Sequence, residues 1–337
     1  MKDVDEILKT AVERTEQRAA KQRLKAESRQ LVKKQKFLTQ WDIHLLMLPA
    51  MLCMLIFMYV PMYGVIIAFK DYIIGTGPGQ GIFGSPWVGF KHFEVMFKDP
   101  DLIRSLKNSV GMSLWRILLL FPAPIILALM FNEIKNSGLK RVYQTISYFP
   151  YFLSWAIVCS MVQLWLSPSQ GWVNALLVNT GLFRAPIDFL SEENWFWPIT
   201  LILETWKGVG FSTIMFLAAI SGIEQEQYEA AVIDGASRLQ KIRYITWPSM
   251  TGTVSVLFIL QIPGIIGGNF DISYLLGNDL NAEKSEILQT LVYNSGMKNM
   301  KYSYATAVGL VISAVSLLLL LGGNMLIRKV TKRGIFG

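Results

Sequence analysis

Nothing constrains this chain more than its apolar runs. Residues 43–69 form one long stretch, and others follow at about 109–131, 145–166, 196–222, 252–268 and 305–327. About 20 apolar residues at 1.5 Å each cross the roughly 30 Å hydrocarbon layer of a bilayer. Within that layer no water can satisfy backbone N–H and C=O groups, so runs of this length must be helices. The expected fold is an all-α polytopic membrane protein with six transmembrane helices. Its 52% hydrophobic content, 17% charged residues and mean hydropathy of +0.38 exclude an ordinary soluble domain.

The formal charge of +8 would suit a nucleic-acid binder if the cations clustered on a soluble surface, but they do not. With the N-terminus placed in the cytoplasm, the tail, the loop near Lys135, the polar stretch before the fifth run and the C-terminus hold 21 of the 32 Lys and Arg. The opposite loops hold nine, and Arg116 and Lys207 lie inside runs. The positive-inside rule therefore predicts both termini in the cytoplasm and excludes nucleic acid as a partner. Residues 1–40 carry eleven Lys or Arg and six Asp or Glu, with no apolar segment that could serve as a cleavable signal's core. They are expected to remain as a charged cytoplasmic tail, ahead of a transmembrane domain over 41–337. The near-helical spacing of Val4, Ile7, Leu8, Ala11 and Val12 suits a solvated helix or one lying on lipid headgroups. Cys53 and Cys159 both lie in apolar runs and read as packing residues.

Between the fourth and fifth runs lies a polar island, 223–249, whose core reads EAAVIDGASRLQKIRYITWP from Glu229 to Pro248. Gln225 to Asp234 are good helix formers, and Gly235 stands where a left-handed C-terminal turn needs it. Ser237 and Gln240 have capping-box spacing for a second helix, which Pro248 is expected to stop. Small residues at Ala230, Ala231, Gly235 and Ala236 allow close approach of another backbone, and Glu229 offers a carboxylate to a partner's cation. The same pattern also suits a helix resting on headgroups.

This island resembles the EAA loop of bacterial ABC importer permeases, with the pattern E-A-A-x3-G-x9-I-x-L-P. Glu229, Ala230, Ala231, Gly235, Ile245 and Pro248 match it, while Trp247 replaces the leucine and is expected to alter packing at the loop's end. The resemblance implies a type I importer permease fold in the bacterial cytoplasmic membrane. It also implies that Glu229, Ala230, Ala231, Asp234, Gly235, Ile245 and Pro248 couple the chain to ATPase subunits. No GxxxxGK[ST] loop occurs here, so ATP and Mg2+ would sit on partner subunits and this chain would bind no cofactor of its own. An intramembrane enzyme would need a metal cluster, an aspartate pair or a nucleophile with its base. With only His44 and His92 present and no Asp in mid-span, catalytic and metal sites are not expected.

Inside the membrane the sequence places Arg116, Glu204 and Lys207, and buried charges face a cavity or pair with one another. Glu204 and Lys207, three apart, can share a helix face. Arg116 and Glu204 lie at similar depth, about 10 Å below the outer boundary, so a pair between helices is allowed and would leave the Lys207 ammonium free. Such a pair reads equally as a purely structural one. The fifth run ends in QIPGIIGGNFD, residues 261–271, where proline and glycines free backbone carbonyls in the manner of transporter binding sites. Asn269, Phe270, Asp271 and Tyr274 there can bond and stack on sugar rings. A helix merely ending early is the plainer reading.

Together with the island, the segment 87–93, Asp99-Pro100, WKGVG at 206–210 and GNFD at 268–271 resemble carbohydrate permeases of the maltose-importer type. The basic tail and fourth span most resemble permeases importing oligosaccharides from plant or algal polysaccharides. The resemblance covers about residue 43 onwards. It implies a second permease subunit, two ATPase subunits, an extracytoplasmic solute-binding protein and an oligosaccharide substrate, acidic sugars included. Importers of other solutes share the loop, and a docking scaffold without translocation remains an alternative.

Overall fold

The computed structural model describes residues 41–331, and the expectations for the tail and the last residues lie outside that range. Two compact units divide at residue 64. The described part of the first is most of an apolar helical span, Ile43–Phe69, that begins as α1 (Trp41–Met54). A five-residue π-turn, Leu55–Tyr59, interrupts it two residues before Pro61. Proline has no N–H, and its ring would strike the carbonyl one turn back, so the wider π-turn relieves the clash.

The second unit is all-helical among its described residues. Its main elements are α2 (Pro100–Leu119), α3 (Pro122–Glu133), α4 (Ser137–Tyr148), α5 (Trp155–Leu166), α6 (Trp172–Asn179), α7 (Glu193–Ser221), α8 (Gln225–Ile233), α9 (Arg238–Lys241), α10 (Trp247–Gln261), α11 (Gly264–Gly267), α12 (Phe270–Leu276), α13 (Leu288–Tyr293) and α14 (Tyr302–Thr331). Over the described chain five helices are long and apolar enough to cross a membrane, and six if the bent pair Ser137–Phe152 and Trp155–Leu166 counts as one.

Helix α7 is the axis. Near its start Phe196 packs with Met112 of α2, Cys159 and Val162 of α5, and Ile272 and Leu276 of α12. Near its end Phe216 and Ile220 pack with Ile125 and Ala128 of α3 and Met250 of α10. Gly210 is the point of closest approach to α4: a Cβ there would fall 1.9 Å from the Ser147 carbonyl oxygen.

Three expected spans are less regular than their apolar runs suggest. The second starts earlier, at Pro100, where Asp99 caps the helix through the Asp101 N–H, and it breaks at Leu120–Phe121 ahead of Pro122. The third is bent by 92° rather than continuous over 145–166. Pro150 holds residues 149–152 in a 3₁₀ turn, and Ser154 then caps α5 through the Ile157 N–H. The fifth does not end early. It breaks at Pro263 and at Gly268 and resumes as α12, and the Pro263 and Gly264 carbonyls accept hydrogen bonds from Ser316 and Ser113 at 3.5 and 3.3 Å.

On the side opposite the island, buried asparagines tie the loops down. Asn174 donates to the carbonyls of Leu166, Ser167 and Ile187 and accepts from the Ile187 N–H. Asn281 donates to Leu190 and Leu276, and Asn108 to Glu283 and Glu286. Lys91 donates to Asp71 at 2.6 Å and so holds that carboxyl below its ordinary value.

Candidate functional site

The island folds into an elbow. Helix α8 ends in a Schellman motif: the Gly235 N–H bonds the Val232 carbonyl at 3.0 Å and the Ala236 N–H bonds the Ala231 carbonyl at 2.8 Å. Gly235 has φ +76°, as the left-handed position requires, and nothing lies within 4 Å of where its Cβ would be. The Ser237–Gln240 capping box is present in both directions, at 2.7 and 3.4 Å. Pro248, however, does not stop the second helix. From α9 the chain passes through a π-turn, Ile242–Thr246, directly into α10, so the elbow is continuous with the fifth span. The π-turn again ends two residues before the proline, as in the first span.

Of the elbow residues, Glu229, Ala230, Asp234 and Gly235 are exposed, Ala231 and Ile245 are half-buried, and Pro248 is exposed. Among the described residues Glu229 makes no ion pair. Apolar Ile233 and Leu239 are 87% and 74% exposed on the same polar turn, which marks a surface built for contact. Tyr228, half-buried, meets the hydroxyl of the buried Thr246 at 2.8 Å.

Within the membrane Arg116 and Glu204 do meet, bidentately, at 2.6 and 2.7 Å across 88 residues of sequence. They line a cavity of about 150 Å³ with Ser113, Gly208, Gln261 and Gly264, where the breaks in the second and fifth spans face α7. Lys207 departs from the expectation. Its ammonium is not free, nor paired with Glu204: it donates to the Tyr151 carbonyl at 2.7 Å and lies about 5 Å from the ring centres of Tyr151 and Trp155. The third-span break is the reason, because residues leaving the helix at Pro150 present an unpaired carbonyl to α7. Phe211 stacks on Tyr151 at 3.9 Å and closes the cage.

Asn269 caps α12 through the Ile272 N–H, so its oxygen is engaged by backbone. Phe270 and Tyr274 stack at 5.4 Å, and both pack against Tyr293. Lys298 lies over the Tyr274 ring. Asp271 is exposed. Tyr151, Trp155, Phe211, Tyr293 and Lys298 were not singled out in the sequence. A proline inside an apolar run flanked by aromatics, FPYF at 149–152, was the signal available for the first of them.

The model of the family described as binding-protein-dependent transport system inner membrane component matches residues 121–332. Protein LplB of Bacillus subtilis (strain 168) is 42% identical over 294 residues, covering 87% of this chain and 91% of that protein. The polygalacturonan/rhamnogalacturonan transport system permease protein YteP of the same organism is 40% identical, covering 89% and 92%. Among solved structures, a bacterial ABC transporter involved in the import of the acidic polysaccharide alginate has a chain that superposes with a TM-score of 0.80. The two are 36% identical, and the match covers 88% of this chain and 98% of that one. A crystal structure of the bacterial alginate transporter in complex with an alginate pentasaccharide-bound periplasmic protein matches equally well. The elbow and the broken third and fifth spans lie within residues 121–332. This chain belongs to the family of inner membrane permease components of binding-protein-dependent transport systems.

Proposed function

We propose that this permease carries an acidic oligosaccharide, handed over by an extracytoplasmic solute-binding protein, across the bacterial cytoplasmic membrane. A second permease subunit completes the pathway. Two ATPase subunits on the cytoplasmic face bind ATP and Mg2+ and grip the elbow, residues 223–249. Both termini lie in the cytoplasm, in keeping with the distribution of Lys and Arg.

The observation that carries the reading is the elbow itself, a capped two-helix projection with exposed Glu229, Ile233 and Leu239 that runs unbroken into the fifth span. In this mechanism closure of the ATPase dimer displaces α8 and α9 and rocks α10. The broken segments facing α7 then open and close the cavity, so access alternates between the two sides of the membrane. A scaffold without translocation has no use for such a lever joined to a broken span.

Acidic rather than neutral sugars are favoured by the caged Lys207 and by the substrates named for YteP and for the alginate transporter. A cation in a dry aromatic setting attracts a carboxylate more strongly than a hydroxyl. Tyr274, Phe270 and Tyr293 add ring faces on which sugars stack, and Asn269 and Asp271 sit beside them.

The full importer, reconstituted with its own binding protein, tests this with two probes, trigalacturonate and maltotriose. ATP hydrolysis is expected to rise with the trigalacturonate-loaded binding protein, and no stimulation by either sugar would reject the sugar-importer reading. Lys207→Met, which keeps the bulk and removes the charge, should lower trigalacturonate transport about tenfold more than maltotriose transport. Equal losses would remove Lys207 from substrate selection.

A further inference from the structure

The elbow can transmit movement only if it is stiff, yet its join to the fifth span is the kind of backbone that yields. Over Ile242–Thr246 the helix is π-wound, with the Trp247 N–H bonding back to the Ile242 carbonyl, and Pro248 follows with no N–H to give. Local hydroxyls take up the slack, from Ser249 to the Ile245 carbonyl at 2.8 Å and from Thr251 to the Pro248 carbonyl at 2.6 Å. These bonds stay within the helix and do nothing to fix α8.

Among the described residues, two hydrogen bonds or ion pairs between side chains brace the elbow. Arg238 to Glu133, at 3.9 Å, is exposed and loose, the kind of surface pair that contributes little. Tyr228 to Thr246 is different in kind. The two oxygens are 2.8 Å apart, the threonine is 1% exposed, and its hydroxyl also reaches the Lys241 carbonyl at 3.4 Å. The contact thus runs from the middle of α8, through the last residue of the π-turn, to the end of α9. Tyr228 is half-buried and stands one residue before the exposed Glu229.

We infer that the Tyr228–Thr246 hydrogen bond is the strut that makes α8, α9 and the root of α10 move as one body. Without it, displacement of α8 is absorbed in the π-turn and at Pro248 instead of reaching the broken spans. Tyr228 and Thr246 are therefore positioning residues for coupling, and neither is a contact for the ATPase. The inference rests on the coupling role proposed for the elbow, and Gly235→Asp separates failure of one from failure of the other.

The test uses the complete reconstituted importer with its trigalacturonate-loaded binding protein, and reads sugar transported per ATP hydrolysed alongside retention of the ATPase subunits. Tyr228→Phe and Thr246→Val remove one oxygen or replace it by a methyl group and keep the packing. Each should lower the ratio at least about fivefold while the ATPase subunits stay bound. Thr246→Ser, which keeps the hydroxyl, should stay near wild type, and Tyr228→Phe/Thr246→Val should be no worse than either single change, since both delete the same bond. An unchanged ratio in both single variants, with Gly235→Asp inactive, overturns the strut and leaves the coupling role standing. Loss of the ATPase subunits from Tyr228→Phe overturns it in favour of a docking contact. Wild-type transport by Gly235→Asp removes the coupling role, and the strut with it.

Discussion

Arg116 and Glu204 show what a charge inside a membrane demands. Either charge alone in hydrocarbon is costly, and the bidentate geometry satisfies both carboxylate oxygens with guanidinium N–H groups. Their side chains are 16% and 7% exposed, so removing one partner strands a buried charge, at about 3–5 kcal/mol, whereas replacing both by apolar groups is close to neutral. Glu204→Gln should therefore lower the unfolding temperature of the solubilised protein, and Arg116→Met/Glu204→Met should restore it. Because the pair lines the cavity, sugar uptake should remain low in both. Recovery of uptake together with stability would make the pair a packing device alone. Lys207 teaches the complementary lesson. Spacing on α7 put it beside Glu204, yet its partner is a carbonyl freed by Pro150 on another element, which no periodicity within α7 could reveal.

At the scale of elements, the elbow was readable because its signals are local. A left-handed glycine, a capping box and good helix formers act within a few residues of one another, and each is found where the sequence put it. The exception, Pro248, shows how a local rule is overridden. A proline stops an ordinary helix, but a π-turn two residues upstream widens the backbone enough to let the helix run on, and the first span does the same before Pro61. Gly235 yields an expected outcome that separates fold from contact. Aspartate tolerates the left-handed region better than most residues, and the space around the missing Cβ is open, so Gly235→Asp should leave the amount of protein in the membrane unchanged. Uptake should nevertheless be abolished, because the added carboxylate projects from the surface proposed to dock the ATPase. Membrane immunoblots alongside uptake check both halves, and wild-type uptake would deny the elbow its role.

For the whole molecule, orientation decides everything else. With Cys53 and Cys159 replaced by serine, a membrane-impermeant maleimide should label Leu239→Cys only from the cytoplasmic side and Leu280→Cys only from outside. Both positions are more than 70% exposed. Labelling of Leu239→Cys from outside would leave the elbow beyond reach of any ATPase. The sequence by itself determined that the chain is helical and membrane-spanning, where its apolar runs lie, which face is richer in cations, and that the island is a pair of capped helices. Run length, charge bias and capping are properties of contiguous residues, and physics acts on them before any tertiary contact forms. Only the tertiary structure decided that the third span bends by 92°, that the fifth resumes beyond its break, that serines on neighbouring spans answer its freed carbonyls, and that Arg116 takes Glu204 while Lys207 takes Tyr151. Those outcomes depend on which helix lies beside which. In a bilayer every unsatisfied polar group must find its partner across such a contact, however far away that partner is in the chain.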